Sequence, residues 1–194
     1  MKQLFVLLTA NLLLGTSFLL AQKKVKPIFV VTPEINLLNG DEHISSNITL
    51  KAGVLKGKTQ YSIGVGIDYY GYRTVPLVVD VKQFLGNKKN KAFVYAGAGY
   101  NITWLLNEQK TQNWLWGMPA TTADYSNGFT YHYGIGYGFL NIKNKGLLVT
   151  IGINSKSLRE TYDTWIFNGT TSVLMPTKNT YTLNRLAIGL AYSF

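Results

Sequence analysis

From Gln60 the chain alternates without interruption, with Tyr61, Ile63, Val65, Ile67 and Tyr69 on one side and Gln60, Ser62, Gly64, Gly66 and Asp68 on the other. A period of two belongs to a β-strand with two unlike faces. The pattern returns at Phe129, where Phe129, Tyr131, Tyr133, Ile135, Tyr137 and Phe139 alternate with Thr130, His132, Gly134, Gly136 and Gly138. It returns again at the end, where Leu186, Ile188, Leu190, Tyr192 and Phe194 alternate with small or polar residues. Weaker copies begin at Phe29, Ile48, Leu77, Ala92 and Leu147, so eight strands are predicted.

The solvent of each face decides the class. In a soluble β-sandwich the bulky residues turn inward and the outside carries many charges. Here the bulky face has almost no charge beside it, and charged residues are only 14% of the chain against 46% hydrophobic. Lipid suits such a face, and the strands match the ~9 to 11 residues of a tilted transmembrane strand. Because an open sheet edge does not persist in hydrocarbon, the sheet should close. The expected fold is all-β, an eight-stranded antiparallel up-and-down transmembrane β-barrel. A secreted lipocalin-like lipid-binding barrel is a more distant alternative.

The beginning of the chain supports export. Met1 and Lys2 precede an apolar run from Leu4 to Leu20 that ends at Ala21 and Gln22, which reads as a signal peptide over residues 1–21 before a barrel domain over 22–194. A membrane anchor is the competing reading, but the run is shorter than the ~20 residues of a spanning helix and contains Asn11 and Gly15. There is no cysteine, hence no disulfide framework and no thiolate chemistry.

Connections are short at Lys56 to Lys58, Gly86 to Lys91 and Asn141 to Gly146. Longer ones alternate with them, at Asn39 to Ser46 and in stretches of about twenty residues after Leu105 and Ser157; only Gly71 to Thr74 is short out of turn. Short turns on one side and long loops on the other orient an outer-membrane barrel with both termini in the periplasm.

A net charge of +10 would ordinarily suggest nucleic acid or an anionic membrane. Position argues against nucleic acid. Lys56, Lys58, Lys88, Lys89, Lys91, Lys143 and Lys145 sit in the short turns and Lys23, Lys24 and Lys26 in the N-terminal tail, with no acid among them. Solvated turns explain these lysines; attraction to anionic headgroups of the inner leaflet is the sharper reading. On the inward faces Glu34, Asp68 and Asp80 stand against Lys51, Lys82, Lys156 and Arg185. A network of Glu34, Lys51, Asp68, Asp80, Lys82 and Arg185 is expected to fill the lumen, since eight strands enclose just enough room for side chains. A narrow wet passage for ions or small solutes is the alternative.

Glycines at 64 and 66, 97 and 99, and 134, 136 and 138 lie two apart within aromatic strands, unlike a phosphate loop between strand and helix. They share the inward face and make room for large neighbours. His43 and His132 are the only histidines, and neither has a second ligand at metal spacing. No spacing selects a Ser or His with an acid at the rim, so no catalytic residue, metal or cofactor is assigned, with an outer-membrane lipid-modifying enzyme kept as an alternative. The stretch from Asn107 to Asn127 carries Trp114, Trp116 and Met118, either as an interfacial anchor or as a candidate surface-binding loop whose partner the sequence does not name.

The stretch YSIGVGIDYYGYRTVPLVVDVKQFL from Tyr61 to Leu85, followed by KAFVYAGAGYNI from Lys91 to Ile102, resembles the small outer-membrane β-barrel domain family abundant in the Bacteroidetes. The likeness lies in the glycine-alternating strand, the Asp-Tyr turn, the proline-led strand and the aromatic strand ending in Gly-x-Gly-Tyr. The ending LAIGLAYSF is similar to the C-terminal strand recognised by the barrel assembly machinery, with Tyr192 and Phe194 as the signal. This implies a Gram-negative outer-membrane protein in contact with lipid; the likeness carries no task with it, and with no catalytic spacing in the chain a structural or surface-binding role without catalysis is expected. Pro33 interrupts the first strand, leaving the start of the barrel open. Tyr181 and Leu183 fall out of phase with Leu186 to Phe194, which predicts a bulge or a projecting stem.

Overall fold

The computed structural model describes residues 26–40, 44–86, 90–105, 124–141, 144–167 and 172–194. The signal segment, His43 and the Trp114, Trp116 and Met118 stretch lie outside them. Among the described residues nine strands appear in chain order: β1 (Ile28–Asn39), β2 (Ile44–Lys56), β3 (Thr59–Asp68), β4 (Thr74–Phe84), β5 (Asn90–Thr103), β6 (Asp124–Ser126), β7 (Gly128–Leu140), β8 (Gly146–Phe167) and β9 (Ser172–Ser193). All pair antiparallel. Eight of them close a ring, β1-β2-β3-β4-β5-β7-β8-β9, with β9 returning to β1 through Glu34↔Ala191 to Asn39↔Leu186. The short β6 is an addition to β8 beyond the rim, pairing Asp124 to Ser126 with Thr161 to Arg159.

The closed ring puts the bulk outside. Ile63, Val79 and Ile135 are 67%, 63% and 60% exposed, while their chain neighbours Ser62, Asp80 and Gly134 turn inward. Outward aromatics pair along β7 and between its neighbours, Tyr100 with Phe129 at 5.7 Å and Tyr137 with Phe139 at 5.2 Å between ring centroids. Phe129 and Phe139 stand at opposite ends of β7, roughly 25 Å apart in height at the tilt usual for such barrels. That is the height of an apolar band flanked by aromatic girdles.

Pro33 and Pro76, two of the three prolines within described strands, fall where a ladder donor is dispensable. Pro33 does not delay the barrel: β1 runs through it from Ile28. Val31 turns its carbonyl to β9, where it accepts from the Phe194 N–H. Pro33, two residues on, therefore also faces β9, one residue before that ladder begins. Pro76 sits at a gap in the β3–β4 ladder, between Val65↔Leu77 and Asp68↔Thr74.

The stretch after Ser157 corrects the expectation of a long loop. It is strand on both sides, a ribbon in which β8 and β9 stay in one register from Gly146↔Ser193 to Phe167↔Ser172. Constant register excludes a bulge there, so the projecting stem is what displaces Tyr181 and Leu183 from the outward phase. Beyond β6 the ribbon continues from Thr161↔Lys178 to its tip for roughly 20 Å.

Candidate functional site

The side chains in the lumen lie in layers. At the short-turn end Val30, Leu55, Phe84, Phe93, Leu140, Leu148 and Ala191 form a buried apolar floor, contributed by seven of the eight ring strands. Phe84 and Phe93 meet edge to face at 5.4 Å. Lys82 rises beside them with its ammonium 5.0 Å from the centre of the Phe93 ring.

Above the floor lies the central ionic layer. The Lys51 ammonium lies 3.0 Å from Glu34 Oε2 and 3.3 Å from Asp80 Oδ2, and His132 Nε2 lies 2.7 Å from the same Asp80 oxygen. Asn36 donates its amide N–H to Glu34 Oε1 at 2.9 Å. Strand register explains these meetings. Asp80, Gly97 and His132 stand in one row on β4, β5 and β7, and a Cβ on Gly97 would come within 2.5 Å of the imidazole. The glycine lets two side chains from non-adjacent strands touch across it. Gly64 does the same for Lys51, whose Cγ lies 2.8 Å from where a Cβ would stand.

Towards the open end, Asp68 holds the second layer. Arg185 Nη1 lies 2.6 Å and Lys156 Nζ 3.5 Å from its two oxygens, and the Tyr70 N–H donates to Asp68 Oδ1 at 2.9 Å. Arg185 also donates to the Asn154 side chain and lies 5.1 Å from the centre of the Tyr70 ring. Lys156 donates to the Tyr72 carbonyl at 2.8 Å. Leu38, Tyr70 and Ala187, with Leu183 against them, pack this end. Between the two layers lies a cavity of about 30 Å³, reached by Glu34, Thr49, Lys51, Asp68 and His132, with room for one or two waters.

The mouth carries a third polar group. Glu160 is buried and accepts hydrogen bonds from the Tyr125 hydroxyl at 2.7 Å and the Tyr181 hydroxyl at 2.8 Å. Tyr72 and Tyr125 pack with their rings tilted by 38°, ring centres 4.4 Å apart and hydroxyls 3.1 Å apart. Burial first, and then the hydrogen bonds with Tyr72 and Glu160, hold the Tyr125 phenol well above its ordinary value. This group ties β6 and the base of the ribbon to the β3–β4 connection. Above it Ile166, Val173 and Met175 are about half exposed on the ribbon.

The six charges assigned to one lumen network therefore separate. Glu34, Lys51 and Asp80 meet in the central layer and Asp68 and Arg185 in the upper one. Lys82 departs from the expectation: among the described residues it forms no ion pair and instead lies over an aromatic ring. His132 joins the central layer and Lys156 the upper one. Glu160, read as a loop acid, lies under tyrosines at the rim. Phe84, Phe93, Tyr95 and Tyr70 were not singled out by the outward pattern at all. Tyr192 and Phe194 point outward near the end of β9, their ring centres 4.7 Å apart.

The His132–Asp80 contact has the form of an acid–base pair, but Asp80 is 1% exposed, is shared with Lys51, and lies in mid-barrel. Among the described residues no group of three His, Cys, Asp or Glu could hold a metal.

No protein-family model and no curated protein matches the chain. Its fold is shared with solved outer-membrane barrels. The outer membrane protein OprG from Pseudomonas aeruginosa aligns at a TM-score of 0.54 with 8% identity, over 88% of this chain and 97% of that one. The N-terminal β-barrel domain of Pseudomonas aeruginosa OprF aligns at 0.45 with 9% identity, over 87% and 100%. Neisserial surface protein A aligns at 0.42 with 10% identity, over 87% and 99%.

Proposed function

We propose that the protein is an integral outer-membrane barrel, exported behind residues 1–21, closed along its axis and non-catalytic, that acts at the cell surface through the β8–β9 ribbon. The observation that carries the reading is the inversion of an ordinary protein: bulky apolar side chains outside, ion-paired and polar side chains within. Only lipid makes such an outside favourable, because the same face in water would be a contiguous apolar surface around the whole ring. The OprG likeness supports this barrel fold. Tyr192 and Phe194 are then the assembly signal.

The layers inside support a closed lumen, since an ion following the axis would meet the apolar floor and two sets of paired charges. The 30 Å³ cavity between the layers is the observation in favour of the second reading, a narrow pore. Planar-bilayer recording decides between them. The expected trace shows no steady conductance, and a stable conductance step would overturn the closed reading.

The ribbon is proposed as the surface-binding element because it stands beyond the rim with apolar side chains in water. Excising 162–177 and joining the stumps through an Asn-Gly turn should leave heat-modifiable migration on gels unchanged. Cells displaying the full chain should adhere to protein-coated surfaces more than cells displaying the shortened one. Equal adhesion rejects the surface-binding role and leaves a structural one.

A further inference from the structure

The outward column of β2 reads Ile48, Leu50, Ala52, Val54 and Lys56. Ala52 puts one methyl where its neighbours have branched chains, in a row with Val31, Ile63 and Val79 on the adjoining strands. Two hollows meet over it, of about 510 Å³ towards Leu50 and about 370 Å³ towards Phe29 and Tyr61, sharing Ala52, Ile63 and Val79. Together they make an apolar groove that runs down the wall towards the short-turn rim.

At its foot stand two cations. Lys56 continues the same column beneath Val54, and the two-residue turn through Gly57, whose φ is +65°, sets Lys58 beside it; both are exposed. From Ala52 to Lys56 is roughly 13 Å along the strand, close to the reach of one acyl chain across half of a hydrocarbon core about 30 Å thick.

We propose that the groove and these two lysines form a site for one anionic phospholipid of the inner leaflet. An acyl chain lies over Ala52 and passes Val54 between Phe29 and Tyr61, and the phosphate meets the Lys56 and Lys58 ammonium groups. Charge complementarity selects an anionic headgroup, and the hollow selects a chain over a smooth wall. Lys145 is the internal contrast. It is exposed at the same rim below Leu147, but the column above it runs through Leu147, Val149 and Ile151 without a small residue. The site rests on the reading that the outward face meets lipid.

The full chain, folded in detergent, is exchanged with phosphatidylglycerol or phosphatidylcholine of equal chain length, and retained lipid is counted by native mass spectrometry. Heat-modifiable migration verifies that each variant is folded. One phosphatidylglycerol per barrel should be retained on the order of tenfold better than phosphatidylcholine. K56S/K58S should erase the preference, Ala52→Phe should lower retention of both lipids by filling the groove, and Lys145→Ser should keep the wild-type preference. Loss of preference in Lys145→Ser equal to that in K56S/K58S would overturn the site in favour of diffuse attraction, as would full retention by Ala52→Phe. A chain that stays soluble and never inserts overturns the membrane reading and the site with it; an inserted chain without preference overturns the site alone.

Discussion

Replacing Lys51 by methionine should lower the stability of the folded barrel by about 3–5 kcal/mol, because it leaves two carboxylates in the lumen without their shared cation. Glu34 and Asp80 are 9% and 1% exposed and lie within 3.3 Å of the ammonium. His132 still reaches Asp80 in the variant, whereas Glu34 keeps the Asn36 amide and the more distant charge of Lys82. The loss approaches the whole stability of a marginal domain, so a much lower folded fraction is expected in urea titrations of protein in vesicles. The control is the variant that removes all four charges, Lys51→Met and Lys82→Met with Glu34→Gln and Asp80→Asn, because Lys82 is itself buried beside the two acids. It should recover most of the loss, since a neutral polar layer has no uncompensated ion. If Lys51→Met unfolds at the wild-type urea concentration, the central layer does not hold the barrel.

The outward half of this arrangement was readable from the chain because lipid demands one property over a whole face. Phe129 to Phe139 and Leu186 to Phe194 announce it in period two, and the ring places each of them outside. The inward half was readable only as composition. Which charge meets which depends on rows across the closed ring, and Asp80 reaches His132 over Gly97 from two strands away. Alternation along one strand holds no information on that register. The usable signal was the glycines themselves. A Cβ on Gly64 would strike Lys51, one on Gly97 would strike His132, and one on Gly136 would strike Phe93, so each vacancy marks a large side chain nearby. Phe84 and Phe93 escaped notice because each sits beside outward apolar residues in sequence, where a single aromatic of the opposite parity does not disturb the pattern.

The ribbon was misread as a loop for a related reason. Bulky residues mark the outward phase lower down, and above Leu186 most of them change sides: Leu183, Tyr181, Met175 and Val173 share the parity that faces the lumen lower down, as do Leu158 and Ile166 opposite them. The strands continue while the solvent changes. Where lipid ends, no force keeps apolar residues outside, and those near the axis gain by packing over the mouth, as Leu183 does against Leu38, Tyr70 and Ala187. The reversal of phase along one unbroken ladder therefore marks the height at which water replaces lipid.

That boundary leads to a comparison in which exposure predicts nothing and the surrounding solvent predicts everything. Ile135 is 60% exposed at the middle of β7 and Ile166 is 47% exposed near the ribbon tip. In water the two substitutions Ile135→Arg and Ile166→Arg would both be mild, since each replaces an exposed apolar side chain by a hydrated one. In a bilayer Ile135→Arg puts a guanidinium near the midplane, and the folded state should lose about 2–4 kcal/mol. Ile166→Arg should stay within about 0.5 kcal/mol of the parent, as expected of a surface change in water. Urea unfolding in vesicles reads both values on the same scale. Equal, small effects would mean that the bulky face of the ring does not meet lipid, and the boundary drawn from the phase of the ladder would fall with it.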